Sequence, residues 1–384
     1  MPAYAAAFRR LRQTPVLIET LSSIFFRNLA SKSIIFSPGV NILLGENGQG
    51  KTNMLEAIYL FKFGRSFRTR RDFDMIRFGE KFCRVEVECR FGNREREKYA
   101  LVVEGGGLKQ AWVSGKSVTR LSELVGRYPA VLFGPQDLQL VQGAPGERRR
   151  FFDMTGSMTD WGYFELLKEY RRILQQRNAV LKRKGKPAER TVWDEGLIRT
   201  GCALARKRIE IVAVIGEYIK QNTRIHSLPF EYSLAYENTI MIPGREDGDL
   251  ESMFAMKLAV LEDEEIRRGV TLAGPHRDDI HFFTGGNDLK KFGSQGQKRL
   301  LAVLLKVAEL NHLEGELKEP CVLLLDDAFS EFDSSIGARL MELLADGRQV
   351  FITSPVALEW ENPRQNRTFS VAGGEINEKP IITQ

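Results

Sequence analysis

The chain has 384 residues, 43% hydrophobic and 28% charged, which is ordinary for a soluble globular protein with a large core in about two domains. A formal net charge of +6 permits anionic partners such as nucleic acid without requiring them, and no apolar run approaches the roughly 18 residues of a membrane span, so no membrane partner is expected. Four cysteines, Cys83, Cys89, Cys202 and Cys321, include no CxxC pair and meet no zinc-spaced histidine, which argues against a disulfide or zinc scaffold and suits a reducing, cytoplasmic location.

In chain order, residues 1–15 are Arg-bearing and acid-free but lack the apolar centre of a secretory signal, and read as a loose extension from an early start codon. From Val16 to about Val141 short apolar runs alternate with Gly, Asn and Pro, predicting strands, with one helix at "KTNMLEAIYLFKF". In "CRVEVECRF" the residues Cys83, Val85, Val87, Cys89 and Phe91 fall on one face of such a strand, so the thiols are expected to serve packing. The text then turns helical. From Glu147 to Lys186 and again from Trp193 to Ile225, apolar residues recur at spacings of three and four, and the basic turn "KRKGKP" between them predicts a helical hairpin. A strand at "FEYSLAY" and a helix to about Gly269 follow, and the last quarter returns to α/β: helix 295–313, strand "CVLLLDD", helix 334–345 and strand "QVFITS". Like elements at both ends thus bracket a helical insert. The expected division is an extension 1–15, a first α/β part 16–146, a helical insert 147–290 and a second α/β part 291–384.

The most specific motif is "GENGQGKT", Gly45 to Thr52, which fits GxxxxGK[ST] between an apolar strand and a helix. Its glycines allow backbone N–H groups to close on phosphate oxygens while the helix N-terminus adds positive potential. The loop residues Gly45, Glu46, Asn47, Gly48, Gln49, Gly50, Lys51, Thr52 and Asn53 are therefore candidates for ATP. Lys51 would bridge the β- and γ-phosphates and Thr52 would hold Mg²⁺. The plain alternative is a Gly/Asn-rich turn. In "CVLLLDD" a buried-strand pattern runs into two acids, at the strand end where parallel sheets bind ligands. Asp326 is the candidate for the Mg²⁺ hydration shell, and Asp327 for polarising the attacking water. Alone, such an ending is equally a turn; beside a phosphate loop it becomes a site.

"FGSQGQKRLL" places Ser294, Gly296 and Gln297 just before an apolar helix. Ser294 alone would be a helix cap. The S-x-G-Q order also fits the signature loop of ABC-type ATPases, in which one subunit's signature faces the γ-phosphate held by the other. On that reading ATP lies between two copies of this chain. "SEFD", Ser330 to Asp333, stands at the spacing of the D-loop of such enzymes. After the next strand, where they carry a switch histidine, "FITSPV" offers Thr353 and Ser354, so hydrolysis is expected to be slow.

With these segments, "GRSFRT", "FGPQDLQLVQGAPGERRRFFD" and "LAGPHRDD" complete a set in family order, and the chain resembles the RecF family, relatives of the structural-maintenance-of-chromosomes ATPases, from about Val16 to Thr353. The resemblance implies an α/β ABC-type P-loop ATPase head with an inserted helical lobe. It further implies an ATP-dependent homodimer that binds DNA at gaps or single-strand/double-strand junctions in repair, replication and the SOS response. With RecR and RecO it would help to load a RecA-type recombinase, slow ATP hydrolysis serving as a switch. It also places Gln136 of "GPQDL" near a Q-loop position that senses Mg²⁺, and "FFRN", Phe25 to Asn28, beside the nucleotide. The chain departs from many wider relatives in having Asp327 where they have Glu. A shorter carboxylate reaches less far and again favours slow turnover.

Two basic stretches are candidates for the DNA backbone. One is "GRSFRTRR", with Arg65, Arg68, Arg70 and Arg71. The other is the region from Glu147 to Arg190, rich in Lys and Arg. The plain readings are a solvated helix face and residues serving fold or nucleotide. "LAGPHRDD" lacks metal-ligand spacing and is expected to brace a loop by ion pairing. A transporter-type ATP-hydrolysing subunit would share the phosphate loop, signature and acids, but not the basic hairpin. An ATPase-coupled nuclease would need a further carboxylate or histidine cluster, which the sequence does not offer.

Overall fold

The computed structural model describes residues 16–92, 95–125, 128–241, 249–327, 344, 347–356 and 366–379; Ser330–Asp333 and the expected helix 334–345, apart from Leu344, lie outside them. The chain forms two compact units, one built from residues up to Pro135 and from Leu313 onward, the other from Gln136 to His312.

The first unit holds two sheets. One runs β2 (Ser33–Ile35), β1 (Val16–Ile24), β4 (Phe82–Phe91), β5 (Glu95–Glu104), β6 (Lys109–Val113) and β7 (Lys116–Ser117), antiparallel throughout. In β4, Cys83, Val85, Val87, Cys89 and Phe91 are buried while alternate residues are half-exposed, the period of two expected when one sheet face meets the core. Burial drives the Cys83 thiol up to about 12 and raises that of Cys89, so both behave as apolar packing groups.

The second sheet has the order β15 (Glu375–Glu378), β14 (Arg367–Ala372), β3 (Val40–Leu44), β13 (Val350–Ser354), β12 (Val322–Asp326) and β8 (Ala130–Phe133). Every pairing from β14 to β8 is parallel. Strands covered on both faces need continuous apolar runs, and β8, β12 and β13 are buried at every position. The C-terminal ends of β3, β12 and β13 lie along one edge, since Asp326 is in register with Thr353, Thr353 with Leu43 and Ser354 with Leu44. Helix α1 (Lys51–Phe63) follows β3, is buried over most of its length and ends at Gly64 in the left-handed region. Gln349 joins the two sheets: its amide nitrogen donates to Ile18 O at 2.8 Å and Ser37 O at 2.7 Å, and its oxygen accepts from Ile18 N at 2.7 Å.

The second unit begins with short α2 (Leu138–Gln142), then α3 (Pro145–Thr159), α4 (Trp161–Lys182) and the 39-residue α5 (Pro187–Ile225). The expected first hairpin arm is thus two helices. Asp160 interrupts it, leaving the helical conformation and capping α4 through Gly162 N at 2.7 Å. α4 and α5 pack as the hairpin, with Tyr163, Leu167, Tyr170, Ile173, Leu197 and Leu204 in a shared core that also takes Phe254 of α6 (Leu250–Arg268). Fully burying a side chain of this size contributes about 1.5–3 kcal/mol each. A three-stranded sheet, β9 (Tyr232–Glu237), β10 (Asp279–Thr284) and β11 (Asn287–Asp288), precedes α7 (Leu289–Phe292) and α8 (Gln295–Leu317). Among the described residues no helix is long and apolar enough to cross a membrane.

Candidate functional site

The loop after β3 turns on glycines in the left-handed region. Gly48 and Gly50 have φ of 82° and 118°, and at Gly50 an added Cβ would come within 2.9 Å of Asn28 Oδ1, so glycine is required there. The chain turns directly into α1, whose first residue is Lys51. The ammonium of Lys51 is buried against Gly45 O at 2.5 Å, Glu46 O at 3.1 Å and Asn47 Oδ1 at 3.4 Å. A cation enclosed by its own glycine loop at a helix N-terminus is a donor set for phosphate oxygens.

Thr52, one residue on, donates from Oγ1 to Asp326 Oδ1 at 2.8 Å. Asp326 is buried, and that burial raises its carboxyl above the usual carboxylate range, against the hydrogen bonds from Thr52 and Thr353 that lower it. A carboxylate whose charge is costly to bury, next to a hydroxyl, is the kind of oxygen pair a hard divalent cation takes. Asp327 sits at φ 46°, in the left-handed region, with its amide donating to Thr353 Oγ1 at 2.9 Å.

The loop is braced from two further directions. Asn28 donates to Gln49 O at 3.2 Å and accepts from Asn53 Nδ2 at 2.7 Å. Arg68 donates to Asn53 Oδ1 and approaches Glu56 at 3.5 Å. Glu56 is fully buried and also takes Arg27 at 2.7 and 3.0 Å and Ser66 Oγ at 2.5 Å. On the other side, the β14–β15 turn gives Gly373 N to Gln49 Oε1 at 2.6 Å and Gly374 N to Gln49 O at 2.9 Å. A Cβ on Gly374 would fall 1.8 Å from Asn28 O, so only glycine fits.

In the first unit, then, Gly45 to Asn53, Asp326 and Asp327 come together, with Asn28 of "FFRN" among them. The four arginines of "GRSFRTRR", Arg65, Arg68, Arg70 and Arg71, are exposed, and Arg68 is also bound into the Asn53–Glu56 network. Sequence reasoning missed Glu56, Ser66 and the Gly373–Gly374 turn. The diglycine between two alternating runs was a legible hairpin signal, but nothing local ties it to Gln49.

Ser294, Gly296, Gln297 and Gln136 belong to the second unit. Gln136 is exposed in a single turn, Pro135–Asp137. Ser294 and Gln297 form a reciprocal cap at the start of α8: Gln297 N donates to Ser294 Oγ at 3.2 Å, and Ser294 N to Gln297 Oε1 at 2.8 Å. The cap is exposed, and Gly296 adds no side chain over it. Gln142 Nε2 donates to Gln295 Oε1 at 2.9 Å, linking α2 to the same turn.

The "LAGPHRDD" loop is polar and largely buried. Asp278 accepts from Thr239 N at 2.8 Å and Thr239 Oγ1 at 2.6 Å, and Asp279 is gripped by Arg148 with two bonds of 2.8 Å. His276 accepts from Tyr170 OH at 2.7 Å, and its other ring nitrogen lies 3.1 Å from Thr271 O; burial lowers it to about 4. Among the described residues, no three His, Cys, Asp or Glu side chains cluster as metal ligands. Of the cations between Glu147 and Arg190, Arg148, Arg177 and Arg190 are buried and paired with Asp279, Glu265 and Glu262.

Known proteins resemble this chain over nearly its whole length. The model of the RecF/RecN/SMC N-terminal domain matches residues 17–370. The DNA replication and repair protein RecF of Symbiobacterium thermophilum is 39% identical over 377 residues, 94% of this chain and 97% of that one. A solved structure of the recombination mediator protein RecF with ATP, in the RecFOR pathway, superposes with a TM-score of 0.88 at 28% identity, covering 95% of this chain and 98% of that one. The Smc head domain of Pyrococcus furiosus, at 17% identity and a TM-score of 0.54 over 95% of this chain and 96% of that one, shares the fold. The chain has the ABC-type ATPase head fold and belongs to the RecF family of DNA replication and repair proteins.

Proposed function

We propose that this chain is an ATP-switched DNA-binding protein of recombinational gap repair, in which ATP joins two copies and slow hydrolysis releases them. The observation that carries the reading is the pairing of Lys51, buried in its glycine loop, with Thr52 bonded to Asp326. Gly45 to Asn53 would hold the phosphates, and Thr52 and Asp326 would hold Mg²⁺. Bound Mg²⁺ neutralises charge on the β- and γ-phosphates. Asp327 orients and polarises the attacking water, and Lys51 fixes the transferred phosphoryl group. Ser294, Gly296 and the start of α8 offer a hydroxyl, an open backbone and a helix N-terminus to the γ-phosphate of the second copy.

Slow turnover follows from a short carboxylate at Asp327 and from Thr353 and Ser354 standing where a switch histidine is expected. The exposed Arg65, Arg70 and Arg71 supply cations for the DNA backbone. The relative with ATP is a recombination mediator of the RecFOR pathway, which supports RecR and RecO as partners and the loading of a RecA-type recombinase as the outcome. Sedimentation with and without ATP, paired with gel shift on gapped DNA, tests the reading. ATP should convert monomer to dimer and strengthen DNA binding together. A monomer at saturating ATP would refute the two-copy site, and ATP-independent DNA binding would refute the switch.

A further inference from the structure

The hydroxyl of Thr353 occupies an unusual position between the two acids at the end of β12. Thr353 is buried and lies opposite Asp326 in the parallel register of β12 and β13. Its Oγ1 accepts from Asp327 N at 2.9 Å and reaches Asp326 Oδ1 at 3.0 Å, with Asp327 Oδ1 at 3.4 Å and Leu325 O at 3.5 Å. A hydroxyl has one proton, and the closest acceptor, a carboxylate, takes it. Asp326 Oδ1 therefore receives two hydroxyl donors, Thr353 and Thr52. Asp327 meanwhile holds φ at 46°, in the left-handed region that few residues with a Cβ adopt, though aspartate does so more readily than most.

We propose that Thr353 is a positioning residue, whose single hydroxyl fixes the side chain of Asp326 and the backbone of Asp327 at once. A β-branched residue suits the task, because a strand restricts its first side-chain torsion and keeps Oγ1 aimed. The same strand continues to the phosphate loop: Ser354 pairs with Leu44, and Gly45 N donates to Ser354 O at 3.3 Å. Strand β13 thus sets the acids and the start of the loop in one frame. For hydrolysis the inference rests on the proposed ATP site; for the backbone of Asp327 it does not.

Thr353→Val keeps the shape and removes the hydroxyl, and Thr353→Ser restores the hydroxyl. In the nucleotide-free protein, amide exchange at Asp327 should quicken about tenfold in Thr353→Val and stay near wild type in Thr353→Ser. With ATP and Mg²⁺, kcat should fall about tenfold in the valine variant, KM should remain within about twofold, and serine should recover most of the rate. In an Asp327→Ala background the valine change should cost less than it does in the wild type, because only the contact with Asp326 is left to lose.

Unchanged exchange at Asp327 in Thr353→Val would overturn the proposal, as would a rate loss fully additive with Asp327→Ala. If valine does not fold, Thr353→Ala takes the same measurements. A wild-type protein that binds no ATP refutes the ATP reading, and the exchange comparison still decides the role of Thr353.

Discussion

Thr52 and Asp326, 274 residues apart in sequence, share a hydrogen bond of 2.8 Å between Oγ1 and Oδ1. That contact joins the start of α1 to the end of β12 and ties the acid-ended strand, ambiguous alone, to the glycine loop. The residues built around it can be tested one by one.

Lys51 is tied to its loop by three oxygen acceptors, so changing it alters the loop as well as its charge. Lys51→Arg keeps the charge in a larger planar head and should retain ATP binding within about tenfold while turnover falls to background. Equilibrium binding of a fluorescent nucleotide and phosphate release, measured on one preparation, separate the two. Wild-type turnover would show that Lys51 does not contact the transferred group.

Ser294 is a helix cap as well as the proposed contact to a second copy's nucleotide. Ser294→Asp preserves the cap, since aspartate accepts from Gln297 N equally well, but sets a negative charge where a phosphate is expected. It should keep its melting temperature and its ATP affinity and fail to dimerise on ATP in sedimentation. Ser294→Arg should also block dimerisation with ATP binding intact. A Ser294→Asp protein that still dimerises on ATP would show that the cap is only a cap.

Arg65, Arg68, Arg70 and Arg71 are all exposed, and Arg68 also braces Asn53 and Glu56. Reversing Arg65, Arg70 and Arg71 to Glu should weaken DNA binding and lower the slope of log K against log salt by about one for each phosphate no longer neutralised. Nucleotide affinity should hold. Arg68→Glu instead places an acid against buried Glu56 and should weaken nucleotide binding first. Equal salt slopes for wild type and the triple variant would remove this loop from the DNA surface.

His276 is held near 4 by burial, with Arg277, Arg149 and Arg177 adding to the effect, against an ordinary value of 6.5. As pH falls below about 6.5 the unfolded chain takes up a proton that the folded imidazole refuses. The stability linked to His276 is therefore complete above that pH and is lost progressively toward 4, by up to about 1.4 kcal/mol per pH unit. Urea unfolding of wild type and His276→Gln at pH 7.5 and pH 5 checks this. The glutamine variant should be the less stable at pH 7.5, and the gap should narrow at pH 5. A widening gap would mean that the folded protein holds His276 charged.

The elements that sequence rendered well are those with a strong local period. α1 coincides with "KTNMLEAIYLFKF", and β12 with the apolar run before Asp327. Asp160 breaks the first hairpin arm, because a capping residue outweighs helical periodicity at one point, and such local competition is poorly read from spacing. α5 begins at Pro187, six residues before the expected start, since proline is well suited to the first turn. In the candidate site the glycine loop and the acids were readable. Glu56, Gly374 and the pairing of Thr353 with Asp327 were not, because each acts through a partner distant in sequence. The burial of Arg148, Arg177 and Arg190 was equally hidden, since composition counts a buried cation and a solvated one alike.

Gln349 and Ile18, 331 residues apart, are bonded to each other in both directions. On a ribosome adding about 5–20 residues per second, β1 must wait roughly 15–65 seconds for that partner, and β3 about as long for β13 and β14. The last residue of the helical unit, His312, is added 37 residues earlier, roughly 2–7 seconds before Gln349. During synthesis the nascent chain therefore carries an unfinished beginning, with the apolar strand "VNILL" uncovered. Slower translation lengthens that interval in proportion, and with it the time for which the apolar strand lacks its partners.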